Sequence, residues 1–153
     1  MFTAIDADYV TRVRGSFGRQ PVMGLIGATL TRVEAGAVDI TLPYRPDLTQ
    51  QHGFLHAGIL STIVDSAGGY AGFTLFPSDS SVLTVEYKLN LIAPADGESF
   101  VAEGRVVKPG RTLCISQGEV YAMKNGVRSL CALMQQTLMV MQQRSDLSLR
   151  RTA

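Results

Sequence analysis

The stretch AGILSTIVDSAGGYAGFTL, from Ala57 to Leu75, decides the fold. Asp65 is its one charged residue, the first proline comes only at Pro77, and the apolar residues are spread over all sides of a helical projection. The segment is too long for a typical strand, and a helix that is apolar on all sides is a buried helix. The sequence therefore predicts one long helix in the centre of the protein.

Glycines make this helix intrinsically weak. Gly58, Gly68, Gly69 and Gly72 each lower the stability of a helix by up to about 1 kcal/mol relative to alanine. Because small residues let a neighbouring backbone come close, we expect other elements to wrap tightly around the helix.

The flanking segments alternate in ways that predict one more helix and six strands. Ile5, Tyr9, Val13 and Phe17 recur every four residues, which predicts an amphipathic N-terminal helix. Asn125–Gly126 favours a type I′ hairpin turn. The predicted strands are 24–33, 36–42, 83–91, 99–108, 112–123 and 127–141. Helix, two strands, helix and four strands in this order predict an α+β domain with antiparallel strands around the central helix.

Length and charge set limits on the organisation of the chain. The 153 residues predict a single domain over 1–141 and a polar, basic tail over 142–153. A net charge of +1 argues against a nucleic-acid binder. Charged residues make up 18%, below the roughly 25% typical of soluble domains. This low value suggests that a second copy of the chain covers part of the surface.

The sequence also predicts a compartment. We find no signal-peptide pattern at the start and no apolar run of the roughly 18 residues that a membrane span needs, so we expect a cytoplasmic protein. Cys114 and Cys131 lack the paired spacing of a zinc or redox site and are expected to be reduced thiols. No residue cluster suggests a metal, and we expect no cofactor.

Two features of the central segment could carry chemistry. Asp65 is a carboxylate in an apolar setting, where its ionised form is costly and its pKa tends to rise. His56–Ala57–Gly58 forms the helix entry, and a helix N-terminus offers free N–H groups and a positive dipole end to a developing oxyanion. Each feature has an ordinary structural explanation, since Asp65 could be a hydrogen-bonded core residue and His56 a simple cap.

Their spacing favours a shared site. At about 100° and 1.5 Å per residue, His56 and Asp65 differ by two and a half turns and about 13 Å. We therefore expect the carboxylate and the N-terminal amides on opposite faces of the helix. Two antiparallel copies of the helix could bring Asp65 of one beside the entry of the other. That arrangement predicts a C2 dimer with two composite sites.

Residues 50–58, QQHGFLHAG, followed by Asp65 and the small residues 66–69, resemble the signature of the PaaI-like acyl-CoA thioesterases of the hotdog-fold superfamily. The resemblance covers about residues 24–141. It implies a curved antiparallel sheet of about six strands around one long central helix, which the predicted N-terminal helix would precede. It also implies a homodimer or a tetramer made of two dimers, with the site at the dimer interface, and hydrolysis of acyl-CoA thioesters without a metal.

The resemblance implies catalytic roles for five residues. Asp65 would be the general base or the nucleophile, and the backbone N–H of Ala57 from the partner subunit would polarise the thioester carbonyl. Gln50 stands where the family has Asn and would help to place the nucleophilic water or the thioester. His56 would shape the turn, and Thr84 would orient water beside the acid.

The resemblance implies substrate contacts as well. Coenzyme A, as part of the substrate, would place its phosphates near Lys108 and Arg111, and the acyl group would lie in a pocket at the helix. The residues expected around the acyl and thioester groups are Gly58, Phe54, Leu55 and Tyr70.

Two departures from the family pattern keep other functions open. Gln50 replaces Asn and Ala57 replaces the first Gly, which leaves room for a non-catalytic acyl-CoA binding protein, although Asp65 weighs against it. An acyl-thioester hydratase is disfavoured because His52 and His56 both precede Asp65, whereas such enzymes place a histidine after the acid.

Overall fold

The computed structural model describes residues 2–147, so residues 148–153 of the predicted tail lie outside it. Helices α1 and α2 come first, and the long helix α3 lies between two groups of strands. The elements are α1 (Tyr9–Gly18), α2 (Pro21–Ile26), β1 (Thr29–Glu34), β2 (Ala37–Pro43), a short 3₁₀ turn (Pro46–Leu48), α3 (Ala57–Phe73), β3 (Ser81–Leu91), β4 (Ser99–Lys108), β5 (Leu113–Lys124) and β6 (Val127–Met141).

The six strands form one antiparallel sheet in the order β1-β2-β4-β5-β6-β3. Helix α3 packs across this sheet, and β1 and β3 are its edges. The predicted α+β fold, with six strands curved around one long helix and an N-terminal helix, is confirmed. Asn125 and Gly126 both have positive φ, as the predicted type I′ turn requires.

Helix α3 is held close to the sheet, as its glycines predicted. A Cβ on Gly72 would come within 3.0 Å of Leu138 in β6, and a Cβ on Gly118 in β5 would come within 3.0 Å of Val64 in the helix. Real Cβ atoms essentially never make such contacts. Small residues on both elements therefore set the distance between helix and sheet, and tertiary packing compensates for the weak helix propensity.

The predicted strand over 24–33 is wrong at its start. Residues 21–26 form the short helix α2, which begins with Pro21 at a position where proline is favoured and ends at Gly27 with φ 79°. Strand β1 begins only at Thr29. Six residues are too few for a helical period to stand out in the sequence.

Strand β3 leaves most of its apolar residues exposed, although Val82 and Leu89 are partly buried against the core. A bulge between Thr84 and Glu86 shifts the register against β6 and reverses which face each side chain takes. Large side chains on this edge strand remain about half exposed, namely Leu83, Val85, Tyr87 and Leu91.

Helix α1 is fastened to the end of α3. Arg12 donates from Nη2 to the carbonyl oxygens of Phe73 (3.2 Å) and Phe76 (2.9 Å), and its guanidinium stacks on the Phe73 ring. A salt bridge to Asp6 orients the same side chain. The last carbonyls of α3 thus receive a cation, which complements the negative end of the helix dipole.

Candidate active site

Asp65 lies in the middle of α3, and its carboxylate accepts hydrogen bonds from side chains of two strands. Its Oδ1 accepts a hydrogen bond from Thr84 Oγ1 of β3 at 2.8 Å and another from Gln136 Nε2 of β6 at 3.0 Å. Among the described residues, no hydrogen bond engages Oδ2. One oxygen is therefore anchored and the other is available to a ligand.

Burial raises the pKa of Asp65, because an ionised carboxylate loses hydration there. The hydrogen bonds from Thr84 and Gln136 act in the opposite direction and stabilise the ionised form. A desolvated carboxylate with a raised pKa in a cleft is a candidate for acid–base chemistry.

Asp65 stands at the junction of two cavities. The larger, of about 670 Å³, lies between α1, α3 and β3, and its walls include Gly69, Tyr70 and Leu83. The smaller, of about 400 Å³, follows α3 towards its N-terminus, past Ser61 and Gly58. A ligand with two arms could place its centre at Asp65 and extend one arm into each cavity.

The wall of the larger cavity beside α1 is polar. Tyr70, a predicted contact, does line it, and its hydroxyl is bonded to Ser16 Oγ (3.1 Å) and Gln20 Nε2 (2.9 Å). Arg19 and Asp146 form an ion pair on another part of the wall. Residues from both ends of the chain thus help to enclose this cavity.

The helix entry is closed by a histidine cap. His56 has extended backbone angles (φ −64°, ψ 137°), and its Nδ1 accepts a hydrogen bond from the N–H of Gly58 at 2.9 Å. Ala57 is the first helical residue and does not have a positive φ. Alanine in place of the usual glycine therefore causes no backbone strain.

The expectation that the helix entry and Asp65 lie on opposite faces is wrong for Gly58. Gly58 and Asp65 line the same cavity, because seven helical residues make nearly two complete turns. About 10 Å of helix axis nevertheless separates them. Distance along the helix, and not orientation, keeps the entry of one chain away from its own Asp65.

Other predicted residues lie elsewhere in the protomer. The Gln50 side chain folds back and accepts a hydrogen bond from the His52 N–H, within its own loop. Leu55 is a core residue, Phe54 is half-buried, and neither lines a cavity with Asp65. Lys108 and Arg111 do not line either of the two cavities at Asp65. Lys108 lies at the end of β4, and Arg111 lines a separate apolar cavity beside Phe76.

Gln136 was not predicted from the sequence. It is only 1% exposed, yet it is polar and contacts Asp65. Its signal is visible in hindsight, because Met134, Leu138 and Val140 alternate with it on the inward face of β6. A glutamine in the middle of an inward-facing apolar series needs a buried partner.

The chemistry of residues 2–147 also bears on metal ligands, reactive thiols and membrane spans. No group of three or more His, Cys, Asp or Glu side chains could hold a metal ion within that range. Cys114 and Cys131 are free and buried there, and burial raises the pKa of the Cys114 thiol to about 11. No helix in the described part of the chain is long and apolar enough to cross a membrane.

Comparisons with known proteins show the family of this chain. A family model described as thioesterase superfamily matches residues 52–128. A protein described as a putative esterase from Saccharolobus solfataricus is 30% identical over 80% of this chain and 79% of its own length.

Solved structures show the same fold. The crystal structure of a thioesterase family protein from Silicibacter pomeroyi superimposes with a TM-score of 0.86 at 50% identity, covering 87% of this chain and 98% of that one. The Escherichia coli PaaI protein, from the phenylacetic acid degradation operon, has a TM-score of 0.77 at 13% identity, covering 89% of this chain and 95% of that one. The second likeness concerns the fold alone.

Proposed function

Since this chain belongs to the thioesterase superfamily, we propose that it hydrolyses acyl-CoA thioesters to the free acid and coenzyme A. The observation that carries the proposal is the position of Asp65, anchored at one oxygen and standing where two cavities meet. A thioester has two arms joined at the reacting carbonyl, which matches that arrangement. The acyl group would occupy the larger cavity, beside Tyr70.

Asp65 would act first as a general base. Its free oxygen takes a proton from a water molecule while the water oxygen bonds to the carbonyl carbon, and the C=O electron pair moves onto the carbonyl oxygen. The C–S bond then breaks as the carbonyl reforms, and the coenzyme A thiolate takes the proton back from Asp65. If Asp65 attacked the carbon itself, the C–S bond would break, the coenzyme A thiolate would leave and a mixed anhydride would form, which water would hydrolyse to the free acid and the regenerated Asp65 carboxylate.

The oxyanion would be stabilised by a second subunit. Donors act when they lie about 2.7–3.1 Å from the developing charge. Ala57 and Asp65 of one chain are separated by about 12 Å along α3, so one carbonyl group cannot reach both. The N–H of Ala57 from a partner subunit, with α3 antiparallel to its copy, would complete the site.

The free edge of the sheet supports such a partner. Strand β3 ends the sheet and has about half-exposed Leu83, Val85 and Tyr87, a surface that isolated proteins usually protect. Thr84 places this strand directly beside Asp65. A copy of the chain docked along β3 would therefore lie next to the carboxylate, in a dimer or in a tetramer of two dimers.

We assign the remaining predicted roles, those of Gln50, Lys108 and Arg111, within this dimer or tetramer. Gln50 would help to place the water, as its counterpart Asn does in the resembling family, after its side chain leaves its contact with His52. Lys108 and Arg111 would contact the coenzyme A phosphates, which lie at the far end of the pantetheine arm from the thioester.

Thiol release tests the reaction. Wild type, Asp65→Ala and the surface control Asp79→Ala are incubated with acetyl-, hexanoyl-, palmitoyl-, benzoyl- and phenylacetyl-CoA, and free thiol is followed with a chromogenic reagent. We expect wild type and Asp79→Ala to release thiol from at least one substrate and Asp65→Ala to be strongly impaired. No release from any substrate would favour the binding-protein alternative, and equal activity of Asp65→Ala would exclude the proposed mechanism.

A further inference from the structure

Gln136 forms the floor beneath Asp65. Its Nε2 donates to Asp65 Oδ1 at 3.0 Å and to the main-chain oxygen of the same residue at 3.2 Å. The side chain is almost completely buried between α3 and β6. One amide group therefore holds both the carboxylate and the backbone that carries it.

The surrounding residues form a socket for this amide. A Cβ on Gly68 would come within 3.0 Å of Gln136 Oε1, so the glycine provides the space that the amide occupies. Ser116 is the cross-strand neighbour of Gln136 in β5, and its hydroxyl lies 3.0 Å from the position that a Cβ on Gly68 would take. Gly68 thus leaves space for the amide, and Ser116 lies next to that space.

The buried polar atoms of this socket lower the stability of the fold, so the presence of a glutamine at position 136 needs an explanation other than stability. Among the described residues, neither Gln136 Oε1 nor Ser116 Oγ has a hydrogen-bond partner, although both are buried. A buried polar atom without a partner lowers stability, and an apolar side chain would avoid that loss. A carboxylate can only accept hydrogen bonds, so the amide must turn its NH₂ group towards Asp65.

We propose that Gln136 is a positioning residue that fixes the Asp65 carboxylate with its free oxygen towards the junction of the two cavities. The inference rests on the proposed hydrolysis, and it adds a residue to which nothing else assigns a part in the reaction. Thr84 and Gln136 approach Oδ1 from neighbouring strands, so together they fix the rotation of the carboxylate and favour its ionised form.

Few other titratable groups face Asp65. Those that line its cavities are Tyr70 of α3, Tyr87 of β3, Arg19 next to α1 and Asp146 after β6. Arg19 and Asp146 are paired with each other. The acid limb of the pH–rate profile should therefore report Asp65, and loss of the Gln136 donor should move that limb to higher pH.

Gln136→Met tests the contact, because it keeps a long side chain but removes the donor. The matched control is Gln135→Met, at the neighbouring position whose side chain is exposed. We expect Gln136→Met to lower kcat about 10-fold or more, to change KM little and to shift the acid limb upwards, whereas Gln135→Met should match wild type. Unchanged kcat and an unchanged limb in Gln136→Met would overturn the proposal.

A second variant and a second readout keep the test independent of catalysis. Gly68→Ala displaces the amide without removing it and should shift the limb in the same direction. ¹³C NMR titration of the Asp65 carboxyl should show a higher pKa in both variants than in wild type, and an unshifted pKa would again overturn the inference. If wild type hydrolysed no thioester, the proposed function would fail, whereas the NMR titration would still decide whether Gln136 controls Asp65.

Discussion

Gly104 in β4 lies directly against the backbone of α3, where a Cβ at position 104 would come within 3.0 Å of the carbonyl carbon of Ala67. A backbone carbonyl in the middle of a buried helix cannot move aside as a flexible side chain can. The position of α3 over the sheet therefore depends on the missing side chain at position 104, as well as on Gly72 and Gly118. Gly69, one turn from Asp65, has no atom within 4 Å of its would-be Cβ.

These two glycines should respond oppositely to alanine. Gly104→Ala should lower the free energy of unfolding by about 3 kcal/mol, the upper range for overpacking a core. Gly69→Ala should raise it by up to about 1 kcal/mol, because alanine favours the helix and meets open space. Urea unfolding followed by circular dichroism measures both. A Gly104→Ala variant as stable as wild type would show that helix and sheet are not in the close contact described.

The fold could be predicted wherever one residue pattern dominated a long segment. The long segment Ala57–Leu75, apolar on nearly all sides, predicted α3, and Asn125–Gly126 predicted the last hairpin. Helix α2 was missed because it spans less than two turns. The face of the sheet on which each β3 side chain lies could not be predicted either. The bulge at Thr84–Glu86 arises from pairing with β6, a strand that is distant in sequence.

The site could be predicted only where one segment carried it. Asp65 and the His56 cap lie in or beside a single helix, and Thr84 was found through the family resemblance. Gln136 reaches Asp65 from a position 71 residues away. Its partner becomes evident only when the sheet order places β6 beside β3 under the helix.

Asp65→Asn should lower the activity of the protein but raise its stability at pH 7. Hydrolysis should fall about 10²- to 10⁴-fold, as expected for loss of a general base. The folded protein should become more stable at pH 7, because the folded-state pKa of Asp65 is raised and ionisation of the wild-type residue opposes folding.

The stability difference has a defined pH dependence. A raised folded-state pKa favours the native state fully below the unfolded-state pKa, and this advantage is lost as pH rises through the folded-state pKa. Melting temperatures of wild type and Asp65→Asn should therefore converge as pH falls from 7 towards about 4, near the usual aspartate pKa. A variant that melts below wild type at pH 7 would contradict the expected cost of the buried charge.

Thr84→Val should move the acid limb of kcat/KM to higher pH. It removes the hydroxyl that donates to Asp65 Oδ1, so the carboxylate loses a stabilising hydrogen bond and protonates more readily. Thr137→Val is the matched control, because its hydroxyl also donates to a carboxylate, that of Glu86, away from Asp65. pH–rate profiles of the two variants should differ, with Thr137→Val superimposing on wild type. If the acid limb of kcat/KM lay at the same pH in all three proteins, Thr84 would not influence the ionisation of Asp65.

Ala57→Pro should abolish the proposed oxyanion donor while leaving the helix in place. Proline lacks the N–H group but is well tolerated at the first helical position, and the extended backbone of His56 suits a residue that precedes proline. We expect kcat to fall about 10²- to 10³-fold with little change in the melting temperature. Ala28→Pro is not a suitable control, because the N–H of Ala28 donates a hydrogen bond to the carbonyl of Met23 and its loss would itself lower stability. The melting temperature of Ala57→Pro is therefore the check that this variant is folded.

Mixing two inactive variants tests whether the site is shared between subunits. Asp65→Ala supplies an intact Ala57 amide, and Ala57→Pro supplies an intact Asp65. If each site takes Asp65 from one chain and the amide from the other, a mixed dimer contains one complete site and one doubly damaged site. Random reassortment should then restore about a quarter of the wild-type activity, because about half of the dimers are mixed and each has one working site of two. If both groups acted within one chain, every site in the mixture would carry a lesion and activity would stay at the level of the separate variants. Native mass spectrometry of the mixture, with one variant ¹⁵N-labelled and each variant alone as control, confirms that the chains have exchanged before thiol release is measured.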